Sequence, residues 1–140
     1  MKLQYVLLAD HAFLSIDKKV NIIGIFETIN AVKFPITHPK FVVIGSIIPT
    51  KTNFKLSVSL TDDKGKSLMK NINEMEINLP VEGDNRKFNF IIELLNPTFP
   101  KAGEYKVAIN VDGEKLGEQT LKVLEVSQPG TFSLSDLKPS

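Results

Sequence analysis

The chain has 140 residues, 17 basic against 16 acidic side chains, a formal net charge of +1 and no cysteine. That length makes about one domain with a core large enough to stand without staples. The balanced charge favours neither nucleic acid nor an anionic membrane, and the missing thiols exclude disulfides, thiolate metal sites and a cysteine nucleophile.

Leu3 to Ala9 reads as a first strand, with Leu3, Tyr5, Leu7 and Ala9 on one side and Val6 and Leu8 on the other. Gln4 and Asp10 interrupt the apolar run before a signal-peptide core is reached, and no stretch approaches the roughly 18 apolar residues of a membrane span. Asp10 to Lys19 is a connection with its turn at Asp17-Lys18-Lys19. It leads into Val20 to Ile29, a β-branched stretch without proline that reads as one central strand, paired to the first as a hairpin and apolar on both faces. Pro35 and Pro39 then forbid continuous ladder bonding, so Asn30 to Lys40 reads as a crossing between sheets.

Phe41 to Ile48 is a third strand with two apolar faces, ended by Pro49. Phe54 to Thr61 differs, because Phe54, Leu56, Val58 and Leu60 alternate with Lys55, Ser57, Ser59 and Thr61, a pattern with one wet face. Asp62-Asp63-Lys64-Gly65 is a turn, Ser67 to Leu79 a bulged edge strand, and Gly83-Asp84-Asn85 a loop. Lys87 to Leu95 places Phe88, Phe90, Ile92 and Leu94 inward and Ile91 and Leu95 outward. Tyr105 to Val111 is a half-buried strand, and Asp112-Gly113 is a two-residue hairpin turn into a return strand from about Leu116 to Val126, with a bulge near Val123. Residues 127–140 read as a flexible tail after a single domain over residues 1–126. About eight strands joined by short turns predict an all-β, antiparallel β-sandwich.

Two blocks, Asn21-Ile22-Ile23-Gly24-Ile25-Phe26-Glu27-Thr28-Ile29 and Phe99-Pro100-Lys101-Ala102-Gly103-Glu104-Tyr105 continuing through Val111-Asp112-Gly113-Glu114-Lys115-Leu116-Gly117, stand out alongside Gln4-Tyr5 and Phe34 to Pro39. On these blocks the chain resembles a family of small bacterial and phage-associated proteins known only as a domain of unknown function. The resemblance spans about Met1 to Val126. It implies an all-β, immunoglobulin-like fold and brings no activity or site residue. The closing block is also similar to the penultimate hairpin of immunoglobulin-like modules, where an aromatic such as Tyr105 caps a corner between sheets.

Candidate chemistry is sparse. His11 and His38 are the only histidines and no spacing adds further metal donors. Asp62 and Asp63 lack the alternating oxygens and terminal glutamate of a calcium loop. Glu74, Glu76 and Glu93 read as solvated gatekeepers, and Ser46 lacks the second glycine of a nucleophile elbow. Glu27, a charge within the most apolar strand, marks a pocket, lies where the strand leaves the core, or meets a lysine such as Lys33 or Lys40.

What remains is apolar surface. A single sandwich leaves Val6, Leu8, Ile44 and Ile48, or their neighbours of opposite parity, needing cover from a second copy, another protein, or the tail through Phe132, Leu134 and Leu137. The sequence therefore predicts a non-catalytic, cytoplasmic protein-binding or assembly module. It would use an apolar sheet face or strand edge, with no cofactor, no metal, no nucleic acid and no membrane. A small-molecule or carbohydrate-binding sandwich, or a hydrolase with an unfamiliar site, are the alternatives.

Overall fold

The computed structural model describes residues 1–69, 74–80 and 87–127. Within them the chain is all-β, with eleven strands: β1 (Lys2–Leu14), β2 (Val20–Ile25), β3 (Thr28–Ala31), β4 (Ile36–Thr37), β5 (Lys40–Ile48), β6 (Asn53–Thr61), β7 (Met75–Asn78), β8 (Phe88–Leu95), β9 (Thr98–Phe99), β10 (Gly103–Val111) and β11 (Glu114–Glu125). A four-stranded sheet runs β2-β1-β5-β8, a five-stranded sheet runs β3-β11-β10-β6-β7, and β4 pairs with β9 as a separate two-stranded ladder.

Alternation sorts the core between the two larger sheets. Val6, Leu8, Phe41, Val43, Ile47, Phe90, Ile92 and Leu94 come from one, and Phe54, Leu56, Val58, Leu60, Val107, Ile109, Leu121 and Val123 from the other. Tyr105, 1% exposed, crosses rings with Phe99 at 5.0 Å and donates its hydroxyl to the Lys101 carbonyl at 2.6 Å. That bond reaches four residues back along the chain, to the segment that leads into β10. Burial pushes the Tyr105 pKa above the ordinary tyrosine value.

The Asp112-Gly113 hairpin forms as its local chemistry requires. Both residues have positive φ, 50° and 82°, and Val111 pairs with Glu114 across them. The register slip in this hairpin lies beside the turn, where Ile109 faces Gly117 and Asn110 faces Lys115, and not near Val123 as expected. Leu121 and Val123 both reach the core while Leu124 is exposed, so plain alternation continues through that end.

The largest departure concerns Val20 to Ile29. This stretch is two strands in two sheets: β2 is an edge of the four-stranded sheet, and β3 pairs in parallel with β11 at the edge of the other, Thr28 beside Lys122 and Ile29 beside Val123. Gly24 has a φ of 75°, which side-chain-bearing residues rarely adopt, and the chain leaves the β2 ladder directly afterwards. The Phe26 amide still donates to the Leu8 carbonyl at 3.0 Å, while the Glu27 carbonyl already accepts from the Lys122 amide at 2.9 Å. Two adjacent residues thus complete the transfer between sheets.

The first strand is also longer than expected. Its last five residues, Asp10 to Leu14, pass beyond the part paired with β5 and form an overhanging hairpin with β2, closed by Ser15–Lys19 with Lys18 at a φ of 65°.

Candidate functional site

The sheet transfer creates a recess. Asp10 comes from β1 at the point where it leaves β5, Phe26 from the transfer step, Thr28, Ile29 and Asn30 from β3, Ile36 from β4, and His38 from the segment after it. Together they line an open cleft of about 350 Å³. Prolines frame its far wall: the Phe34–Pro35 bond is cis, and the segment beyond is tied down by the His38 amide on the Pro97 carbonyl and the Asn96 amide on the Pro39 carbonyl, both at 2.9 Å. The Thr37 and Thr98 hydroxyls share a hydrogen bond of 2.8 Å across β4 and β9.

The cleft floor is aromatic. Phe26 and His38 are half-buried with ring centroids 6.2 Å apart, and both stand against the buried Phe41, at 5.6 and 6.0 Å. The rim is polar. Among the described residues the side chains of Asp10, Thr28, Asn30 and His38 make no hydrogen bond or ion pair, in contrast to Asp17, Asp62 and Asp112, each of which has one. The lining holds one carboxylate and no lysine or arginine. The Asp10 carboxylate lies over Gly24 so closely that a Cβ there would collide with it. A glycine is therefore demanded twice at this position, by φ and by the approach of Asp10.

None of these residues was paired with another in the sequence, because they lie up to 28 positions apart and meet only through the change of sheet. In the sequence Asp10 opens a connection and His38 lies in the crossing between sheets. The proline pair around Ile36 to His38 was the one available signal of a fixed wall.

The other candidates are placed as follows. His11 follows Asp10 in the strand and so faces the opposite side, away from His38. The residues around Asp62 are a turn and nothing more: the Asp62 carboxylate accepts the Lys66 and Lys64 amides at 2.8 and 2.9 Å, which lowers its pKa, the Lys66 bond foremost. Glu74 approaches Lys55 at 3.9 Å and Glu93 approaches Lys40 at 3.8 Å, from different sheets. Glu27 meets neither Lys33 nor Lys40 and is exposed outside the cleft lining. Ser46, 1% exposed, donates to the Gln4 side chain at 3.0 Å. Among the described residues no group of three or more potential metal ligands occurs.

The proposed contact residues divide. Val6 and Leu8 are corrected from surface to core: at 9% and 1% exposure they lie between the sheets, because the register slip between Leu3 and Tyr5 sets the even-numbered residues inward. Their neighbours Tyr5 and Leu7 take the outer face, opposite Ser46 and Ile44. Ile44 is itself buried, at 0%, in a second cluster with Ala9 and Val42, against which Ala12, Val20, Ile22 and Ile91 pack. Ile48 is half-buried. Phe132, Leu134 and Leu137 lie outside the described residues. Among the described residues, the exposed large apolar side chains gather on the β1–β2 hairpin, at Phe13, Leu14, Ile16, Ile23 and Ile25, with Tyr5, Val32, Met75, Leu95 and Leu124 exposed elsewhere.

Residues 4–124 match a family of unknown function, DUF6941. The chain belongs to that family. No curated protein matches it. Among solved structures it is similar to the Pseudomonas fluorescens alkylpurine DNA glycosylase AlkC bound to DNA containing an abasic site analog, at 11% identity and a TM-score of 0.47. The match covers 85% of this chain and 30% of that one, so the chain spans less than a third of the glycosylase's length. The expected partners, a second copy or another protein to the exclusion of nucleic acid, are not borne out: the similar structure is of a protein bound to DNA. A likeness of that size assigns no DNA chemistry to the chain. Among the described residues no helix is long and apolar enough to cross a membrane.

Proposed function

We propose that this member of the family is a non-catalytic binding module, and that a small ligand occupies the cleft between Asp10, Phe26, Thr28, Asn30 and His38. The observation that carries the reading is the convergence of three polar side chains, Asp10, Thr28 and Asn30, none hydrogen-bonded among the described residues, around a floor of the Phe26 and His38 rings held by Phe41. Ligand sites combine an apolar, pre-formed surface with a few polar groups that fix orientation. Both requirements are met where the chain changes sheet, and the backbone bonds at Phe26 and His38 hold the wall before any ligand arrives.

A binding role accords with the overhanging hairpin as well, since clustered exposed apolar side chains serve contact and not bond-making.

The test is a titration followed by backbone amide resonances, with methyl glucoside, choline and benzoate as neutral, cationic and anionic probes. At least one of them should move the signals of Phe26 to Asn30 and of His38 while leaving the Asp112-Gly113 hairpin in place. No movement with any probe, or movement scattered over both sheets, refutes the reading.

A further inference from the structure

The charge of the cleft narrows the ligand class, on the reading that the cleft is a binding site. Its lining carries the Asp10 carboxylate, the Phe26 and His38 rings and two neutral polar side chains, and no lysine or arginine. The Asp10 side chain lies over Gly24, where the absence of a Cβ leaves it room. The nearby Lys40 is engaged with Glu93 at 3.8 Å, and Lys122 reaches this region through its backbone amide on the Glu27 carbonyl.

An anion would meet an uncompensated carboxylate. A neutral polyol would gain ring contact and hydrogen bonds but would leave the negative charge unanswered. A cation gains twice, from the carboxylate and from the negative face of an aromatic ring.

We propose that the cleft takes an organic ammonium ion, its positive group between the Asp10 carboxylate and the Phe26 and His38 rings, with Thr28 and Asn30 facing its polar remainder. An ammonium of choline size suits a cleft of about 350 Å³, which is at the small end for ligand sites.

The experiment compares choline with its neutral isostere 3,3-dimethylbutan-1-ol, by amide resonances and by calorimetry on the full chain. Choline should shift Phe26 to Asn30 and His38 and bind on the order of tenfold more tightly than the isostere. Asp10→Asn should remove most of that difference. Asp10 is exposed and unpaired among the described residues, so an unchanged thermal midpoint will show that the variant folds. Phe26→Leu, which keeps an apolar side chain but no π-face, should weaken choline and leave the isostere nearly unaffected.

Equal binding of choline and isostere, or of choline by the wild type and Asp10→Asn, overturns the ammonium assignment while the cleft stands as a binding site. Shifts by methyl glucoside alone do the same. Shifts with phosphatidylcholine vesicles and none with free choline overturn the assignment to a free ion. Silence from every probe overturns both proposals together.

Discussion

Substituting Gly24 by alanine tests the joint between fold and cleft. The native φ of 75° costs an L-residue about 1–2 kcal/mol. The new methyl also meets the Asp10 carboxylate, which is at the end of an exposed side chain and is able to rotate away at a cost of about 0.5–1 kcal/mol. Gly24→Ala should therefore lose about 2 kcal/mol in equilibrium urea unfolding, with the slope of the transition unchanged. Asp10→Ala alone should fall within about 0.5 kcal/mol of the wild type, because the carboxylate has no partner among the described residues. The double variant should recover the steric part and keep the backbone part, so the two changes couple by about 0.5–1 kcal/mol. A neutral Gly24→Ala would show that the chain leaves β2 without a left-handed residue. A cycle without coupling would remove Asp10 from its place over Gly24, and with it the carboxylate of the cleft.

Other expectations are simpler to measure. Tyr105→Phe should cost about 1 kcal/mol by denaturant unfolding, through loss of the hydroxyl bond to the Lys101 carbonyl, while Tyr105→Ala should cost about 3–5. Ile44→Ala should lose about 2–4 kcal/mol although it faces away from the main core, whereas Ile16→Ser, at the fully exposed hairpin tip, should stay within about 0.5. The Asp62 pKa is lowered in the folded chain by the Lys66 and Lys64 amides, so its contribution to stability is present above the unfolded value of about 4 and is lost as the pH falls through the lower folded value. The stability gap between wild type and Asp62→Asn, measured by unfolding across pH 2 to 7, should accordingly be flat above about pH 5 and close under acid. A gap that widens on acidification would contradict this.

The elements legible in the sequence are those whose signal is local. Phe54, Leu56, Val58 and Leu60 alternate with polar residues, and all four lie in the core. Asp112-Gly113 asks for positive φ, and the hairpin is there. The bond from the Tyr105 hydroxyl to the Lys101 carbonyl is seen only in the structure. The edge character of β7 followed from its polar composition. The sequence suggests about eight strands and the described residues hold eleven, because the two-residue ladder of β4 and β9 is too short for periodicity to register and nothing local marks the break inside Val20 to Ile29.

The all-β class, the inward faces of β6, β8 and β10, and the tight turns were therefore set by residue chemistry acting over two to four positions. Which sheet a β-branched run joins was not. Val20 to Ile25 and Thr28 to Ala31 suit either layer equally, and only their partners, β1 on one side and β11 in parallel on the other, separate them. The cleft belongs to that second kind of information. Asp10, Phe26, Asn30 and His38 become neighbours because non-local ladders bend the chain across two sheets, and alternation along a strand carries no record of which distant strand will lie beside it.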